Sequence, residues 1–449
     1  MSIITENNAR HIRREIEWFT RVLDTRLKLY FGQECEIPDI FKIPPPKLND
    51  FESIYSNFVN LNNLSFEDRI VLILSLIPHI KPQLLDIFFK KNDFHDKGFT
   101  EFGGITGHTH NGFIPTAETA LFILAGNDLE SRFLYHNLFE STYLFSQSNI
   151  LTLHHVNNEE SFFSGALALS SEYIDLFTTG LVKKPGFNTD FPAKLITSEM
   201  DWCDLVLEQY TFDNLEEIRI WMEFGDVMLN EWGLKKTVKP GYRSLFYGPP
   251  GTGKTLTAIL IGKHTGRDVY RIDLSMVVSK YIGETEKNLS KIFSKADNKD
   301  WILFFDEADA LFGKRTNVND AHDRYANQEV SYLLQRIEDF NGLIILASNM
   351  KSNIDDAFTR RFQSVIYFPM PKPELRLKLW QNTFSKKSVL EEKIDLQSVA
   401  KEYELSGGSI TNIVRFCSLM ALKRGDNTII LSDLETGIKR EFQKEGKTK

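Results

Sequence analysis

Cysteine is scarce in this chain: Cys35, Cys203 and Cys417 are the only three among 449 residues. They are far apart, odd in number and never in C-x-x-C spacing. That excludes a disulfide framework and a structural zinc site, and it points to a reducing, cytoplasmic setting. Long apolar runs are also missing. The longest, Ile70–Pro78 (IVLILSLIP), is too short to span a bilayer. The first residues, MSIITENNARHIRREIEW, hold no apolar core of a secretory signal. No membrane partner is expected. Basic charge is not in excess either. A net charge of −8 and a pI near 5.8 argue against a nucleic-acid binder, although a local basic channel is compatible with them. The first half has no internal repeat and no low-complexity tract.

What is present suits a soluble chain of two or three domains with large cores, since 42% of the residues are hydrophobic. Ile12, Ile16, Phe19, Leu23 and Leu27 recur at helical spacing and predict an amphipathic helix over 6–31. Residues 36–50 hold four prolines and read as an extended connector. Ser65-Phe66-Glu67-Asp68 opens a second helix that Pro78 is expected to break or kink. His108 and His110 could be metal ligands or part of a polar loop; H-x-H lacks a third ligand at a recognisable spacing. Residues 1–182 read as a mostly helical adaptor or assembly domain, and 183–195, with Pro185, Gly186 and Pro192, as a linker. Beyond it, strands expected at 243–247, 268–273, 301–305, 343–347 and 365–368 alternate with helices. That predicts an α/β fold, a parallel sheet sandwiched by helices over 196–370. Pro369, Pro371 and Pro373 mark a break, and 371–449 reads as a helical lid.

The chemistry is concentrated in the second half. Gly248, Pro249, Pro250, Gly251, Thr252, Gly253, Lys254 and Thr255 spell a G-x-x-x-x-G-K-T loop between an expected strand and an expected helix. Glycines let backbone N–H groups turn inward onto phosphate oxygens, and the helix N-terminus adds partial positive charge. Lys254 can reach the β- and γ-phosphates, and the Thr255 hydroxyl can ligate Mg²⁺. Ile302–Phe305 is an apolar run ending in Asp306 and Glu307. In that position Asp306 would hold Mg²⁺ and Glu307 would polarise an attacking water. Asn349 follows another apolar run and could orient that water. Arg360 and Arg361 could be surface charge, or fingers acting on a neighbouring copy's γ-phosphate.

Taken together, G-P-P-G-T-G-K-T, F-F-D-E-A-D-A, A-S-N and I-D-D-A-F-x-R-R-F resemble the AAA family of AAA+ ATPases over residues 196–449. The resemblance implies a P-loop AAA+ fold, ATP and Mg²⁺ as ligands, and a homohexameric ring with ATP between subunits. It implies that Asn349 is the sensor 1 residue and that Arg360 and Arg361 act in trans. Gly407 and Gly408, in L-S-G-G-S, would contact nucleotide from the lid. No arginine directly follows that turn, and Arg415 is a weak substitute for a sensor 2 arginine. Asp204–Leu207 would lie at the adenine pocket, although the usual D-x-x-G-G is not there. Lys280, Tyr281, Ile282 and Gly283 resemble the axial pore loop, and 313–325 would form a second one. Within the family, the segments 113–126, 200–207, 279–289 and 312–328 resemble ATPases encoded with phage-tail-like contractile injection systems of the antifeeding-prophage type.

These residues imply an ATP hydrolase that pulls on a protein client with Tyr281. The alternative is a nucleotide-switched scaffold that binds a partner through residues 1–182 without threading it. A nucleic-acid motor is disfavoured by the acidic balance.

Overall fold

The computed structural model describes residues 3–92, 96–107, 111–155, 160–188, 191–277, 284–297, 299–308, 321–349, 359–444 and 446. Two compact units divide the chain, Met1–Lys184 and Pro185–Lys449.

In the first unit, α1 (Ile3–Tyr30) buries Ile12, Trp18, Phe19, Val22 and Leu23, the stripe set by helical spacing. Helix α2 (Ile54–Leu61) starts at a Ser53 cap. Helix α3 (Phe66–Ile80) starts at a reciprocal box in which Ser65 Oγ accepts from the Asp68 N–H and Asp68 accepts from the Ser65 N–H. From Ile70 to Ile77 every residue of α3 is buried, so this helix is the core that the rest wraps. Of the two outcomes expected at Pro78, a break or a kink, the break does not occur: the helix continues to Ile80. The loss of one backbone donor is outweighed by burial of the preceding turns, and the helix stops only at Lys81. Lys81 precedes Pro82 and takes an extended φ of −154°, because the proline ring disfavours a helical residue before it. Helix α4 (Ala117–Ala125) is wholly apolar apart from Glu118 and Thr119, and it packs on α3. Strands β1 (Leu151–His154) and β2 (Ala166–Leu169) form an antiparallel pair, and α5 (Ser171–Thr178) follows. Among the described residues no single helix is long and apolar enough to cross a membrane. The apolar α3 and the turn Pro82–Phe89 bend by 104° relative to each other.

One polar pair is sealed inside this unit. Glu15 of α1 is fully buried and pairs with Arg69 of α3. The Arg69 guanidinium also donates to the Pro46 carbonyl at 2.9 Å and lies 5.5 Å from the Trp18 ring, so it ties the proline connector to both helices.

The second unit is built on a six-stranded sheet. Its strands are β3 (Ala193–Ile196), β4 (Tyr242–Tyr247), β5 (Asp268–Asp273), β6 (Trp301–Asp306), β7 (Leu343–Ser348) and β8 (Ser364–Tyr367). Across the sheet they run in the order β8-β4-β7-β6-β5-β3, all parallel except β3, which pairs antiparallel with β5. The α/β architecture and five of these strands match the sequence pattern to within one residue at each end. Strand β3, in the stretch expected to be linker and its border, was not foreseen; four residues with mixed polarity give too little alternation to read.

Side-chain alternation splits the sheet into two faces. Leu303 and Phe305 of β6 point to one, packed by α8 (Glu284–Ala296) and α9 (Ala321–Asp339). Ile302 and Phe304 point to the other, packed by α6 (Gln209–Asp226) and α7 (Lys254–Thr265). Asp306, two residues after Phe304, therefore falls on the α7 side. After β8, α10 (Pro373–Thr383), α11 (Leu396–Glu402), α12 (Gly407–Arg424) and α13 (Leu431–Lys444) close around Trp380, Ile410, Ile413, Cys417 and Leu434, a separate small core.

Burial holds the Glu15 carboxyl up to about 7 from 4.5, against the pull of Arg69. The folded state then binds this proton more tightly than the unfolded chain. Its contribution to stability is complete below about pH 4.5 and is lost as pH rises through 7. We expect amide-exchange protection in α1 and α3, corrected for intrinsic rates, to weaken across that window by a few kcal/mol, taking about 1.4 kcal/mol per pH unit. Glu15→Gln should remove that slope.

Candidate functional site

The loop after β4 carries the glycine-rich motif. Gly248 (φ 148°), Gly251 (φ 75°) and Gly253 (φ 101°) all take conformations that L side chains avoid. A Cβ at Gly248 would sit 2.1 Å from the Phe368 carbonyl oxygen, and one at Gly251 2.5 Å from Ser406 Oγ. Side chains are thus excluded by both backbone and space. Gly253 is the N-cap of α7 and provides no side-chain cap, so the first N–H groups of α7 face the loop without a capping oxygen. The Thr252 hydroxyl donates to the Pro249 carbonyl at 2.8 Å and tightens the curl.

Lys254 is 7% exposed. Its ammonium donates to the carbonyls of Gly248 (2.7 Å) and Pro249 (2.9 Å) and to Asn349 Oδ1 (3.2 Å). The last bond joins the start of α7 to the residue after β7, the strand hydrogen-bonded to β4. Asp306 ends β6, the next strand over. Its Oδ1 accepts from the Glu307 N–H at 3.0 Å, and its Oδ2 lies 3.1 Å from Arg271 Nε. Glu307 has φ 53°, one of four described non-glycine residues in the left-handed region. Such a backbone is costly for a residue of this shape and turns the chain sharply at the strand tip. The Ala308 N–H then returns to the Ala347 carbonyl at 2.9 Å.

Around these groups lies a cavity of about 810 Å³. Pro250 to Thr255, Asp306, Glu307, Asn349, Gly407 and Gly408 line it together. The lid is joined to the loop directly: the Gly408 N–H donates to the Gly251 carbonyl at 3.0 Å. Leu205, Val206 and Leu207 form an apolar wall of the same cavity, with Asp204 beside them. Arg415 is exposed, bonded to Asn412 at 3.3 Å, and does not line it. An uncapped helix N-terminus, a buried ammonium, a hydroxyl and a strand-end carboxylate are the donor set that a nucleotide with Mg²⁺ requires, so the residues fit both.

Sequence reasoning found the lid glycines but missed the contribution of α10. Leu375, Leu379, Asn382 and Thr383 of α10 also line the cavity. Their signal was present as a stripe at helical spacing whose last members turn polar. Arg360 and Arg361 are outside the cavity. Arg360 is exposed, and the Arg361 guanidinium lies 2.6 Å from the Glu338 carboxylate of the same chain. Lys280, Tyr281, Ile282 and Gly283 lie outside the described residues, as do His108, His110 and much of 313–325.

Comparison with known proteins agrees with this geometry. Residues 244–370 match the model of the ATPase family associated with various cellular activities (AAA). Cell division protein C of Sulfolobus acidocaldarius is 35% identical over 40% of this chain and 50% of its own length. A 26S proteasome regulatory subunit 6B homolog of Dictyostelium discoideum is 32% identical over 46% and 53%. A proteasome-activating nucleotidase of Aeropyrum pernix is 32% identical over 45% and 51%. The chain spans about half the length of the curated relatives it matches. The stretch from Ser244 to Met370, with its glycine-rich loop, its Asp306-Glu307 pair and Asn349, is an AAA ATPase domain.

Proposed function

We propose that this chain hydrolyses ATP to ADP and phosphate as a homohexameric ring, and that it uses the cycle to remodel or thread a protein client. The observation that carries the proposal is the single cavity on which the glycine-rich loop, Asp306, Glu307, Asn349 and the lid glycines converge. In it the N–H groups of the loop and of the first turn of α7 bind the phosphates. Lys254 exchanges loop oxygens for β- and γ-phosphate oxygens. Thr255 and Asp306 hold Mg²⁺, which when bound neutralises charge on those oxygens. Glu307 accepts a proton from the attacking water, and Asn349 orients that water. The water oxygen bonds to the γ-phosphorus as the bond to the bridging oxygen breaks, and ADP leaves with the electron pair. Leu205, Val206, Leu207 and Leu379 provide the apolar bed for the base, with Asp204 beside it. Arg360 and Arg361 serve the adjacent copy's site.

For client handling, the support is the K-Y-I-G stretch at 280–283 and the relatives named for proteasome regulation. We further infer, from the sequence segments at 113–126, 200–207, 279–289 and 312–328 alone, that the client belongs to a contractile injection particle. The scaffold alternative stays distinct because it needs no grip at Tyr281.

Lys254→Ala is expected to weaken binding of a fluorescent ATP analogue by about 100-fold or more, since it removes a buried cation that meets two phosphates. Glu307→Gln should keep nucleotide affinity within about threefold and lower turnover by about 100-fold or more, by loss of the general base. Turnover at the wild-type rate in Glu307→Gln would sink the catalytic assignment. Tyr281→Ala should leave ATPase activity intact and abolish unfolding of a co-purified client; unchanged client processing favours the scaffold.

A further inference from the structure

The two arginines expected to act in trans are not equivalent. Arg361 is engaged within its own chain by Glu338, at the C-terminal end of α9, at 2.6 Å. Phe362 is buried in the core between the sheet and α8 and α9. The Gln363 N–H donates to the Arg243 carbonyl at 3.0 Å, and Gln363 Oε1 accepts from the Arg243 N–H at 2.9 Å. Three consecutive residues after Arg360 are therefore tied to their own subunit. Arg360 is exposed, and no partner for it exists among the described residues.

The tie reaches further. Arg243 is 3% exposed and sits in β4, the strand that delivers the glycine-rich loop. Its guanidinium donates to the Glu338 carbonyl at 2.6 Å, capping the end of α9 with a cation where the helix dipole favours one. Arg243 thus fixes the backbone of Glu338, and the Glu338 carboxylate fixes Arg361.

We propose that Arg360 alone is the finger that reaches the neighbouring copy's γ-phosphate, and that Arg361, Glu338 and Arg243 form a brace that sets its direction from the P-loop strand. This rests on the trans-acting reading above and divides the arginine pair into one catalytic residue and one positioning residue. A brace of this kind works by fixing one peptide segment. Its loss should lower kcat by misdirection while leaving nucleotide affinity of the subunit's own pocket unchanged.

The test uses the full chain and reads kcat, KM and fluorescent-nucleotide affinity for Arg360→Gln, Arg361→Gln, Glu338→Gln, the double variant Glu338→Gln with Arg361→Gln, and the swap Glu338→Arg with Arg361→Glu. Arg360→Gln should lower kcat by about 1,000-fold, as loss of a finger does. Arg361→Gln and Glu338→Gln should each lower it by the same smaller factor, about tenfold, as loss of one charge-assisted bond would. The double variant should be no worse than either, and the swap should recover most of the loss. Unchanged affinity for fluorescent ADP, which lacks the γ-phosphate that Arg360 reaches, reports that each variant is folded; should the swap fail that criterion, Arg361→Lys, which keeps the charge, must retain more activity than Arg361→Gln. The brace is overturned if Arg361→Gln is as severe as Arg360→Gln while Glu338→Gln is silent, or if the double variant is additive. Mixing Arg360→Gln with Glu307→Gln copies separates the two layers. Regained turnover supports action in trans, and its absence overturns the trans-acting reading itself.

Discussion

A loop that leaves a parallel strand exits the sheet at the same edge as the loop leaving the strand beside it. In this chain β4, β7 and β6 are immediate neighbours and run in the same direction. The glycine-rich loop, Asn349 and the Asp306-Glu307 pair are therefore delivered to one place although they are spread over about a hundred residues of sequence. The hydrogen bond from Lys254 to Asn349 is the visible result of that register. β6 already stands two strand spacings of about 4.8 Å from β4, and a further strand between them would carry Asp306 and Glu307 another such spacing from the loop.

The same pleat explains which face each group serves. Alternation along β6 sends Phe305 into the core under α8 and α9, and sends Phe304 and Asp306 toward α7. The α7 face is therefore apolar in its middle and ionic at its end, where Arg271 of β5 stands beside Asp306. Cores of aliphatic and aromatic side chains hold the strands in register, and the polar ends, relieved of a packing role, carry the chemistry.

Much of this was legible in the residues. The strands of the AAA domain are runs such as WILFFD and LIILAS, bounded by turn residues and alternating with helical stretches, and their limits follow the pattern closely. The glycine-rich loop and the acid pair are local motifs, so chain order sufficed to find them. Less legible were the features that arise from contacts distant in sequence. The antiparallel β3 is four residues long and is a strand only because β5 offers an edge. The lid's share of the cavity depends on how α10 folds back, and the inward commitment of Arg361 depends on where α9 ends. That the helix continues past Pro78 was not legible, because the local rule about backbone donors competes with a tertiary term, the burial of Ile70–Ile77.

Between β8 and α10 the chain passes Pro369, Pro371 and Pro373, and the last of these begins the lid's first helix. Three rings in five residues fix three of the five φ angles near −65° and leave the segment few torsions to turn about. A backbone hydrogen bond from Gly408 to Gly251 also links the lid to the loop. A stiff arm hinged at one end and bonded to the glycine-rich loop at the other would act as a lever: an ångström of displacement at Gly251 would reach the far tip of α12 enlarged in proportion to distance.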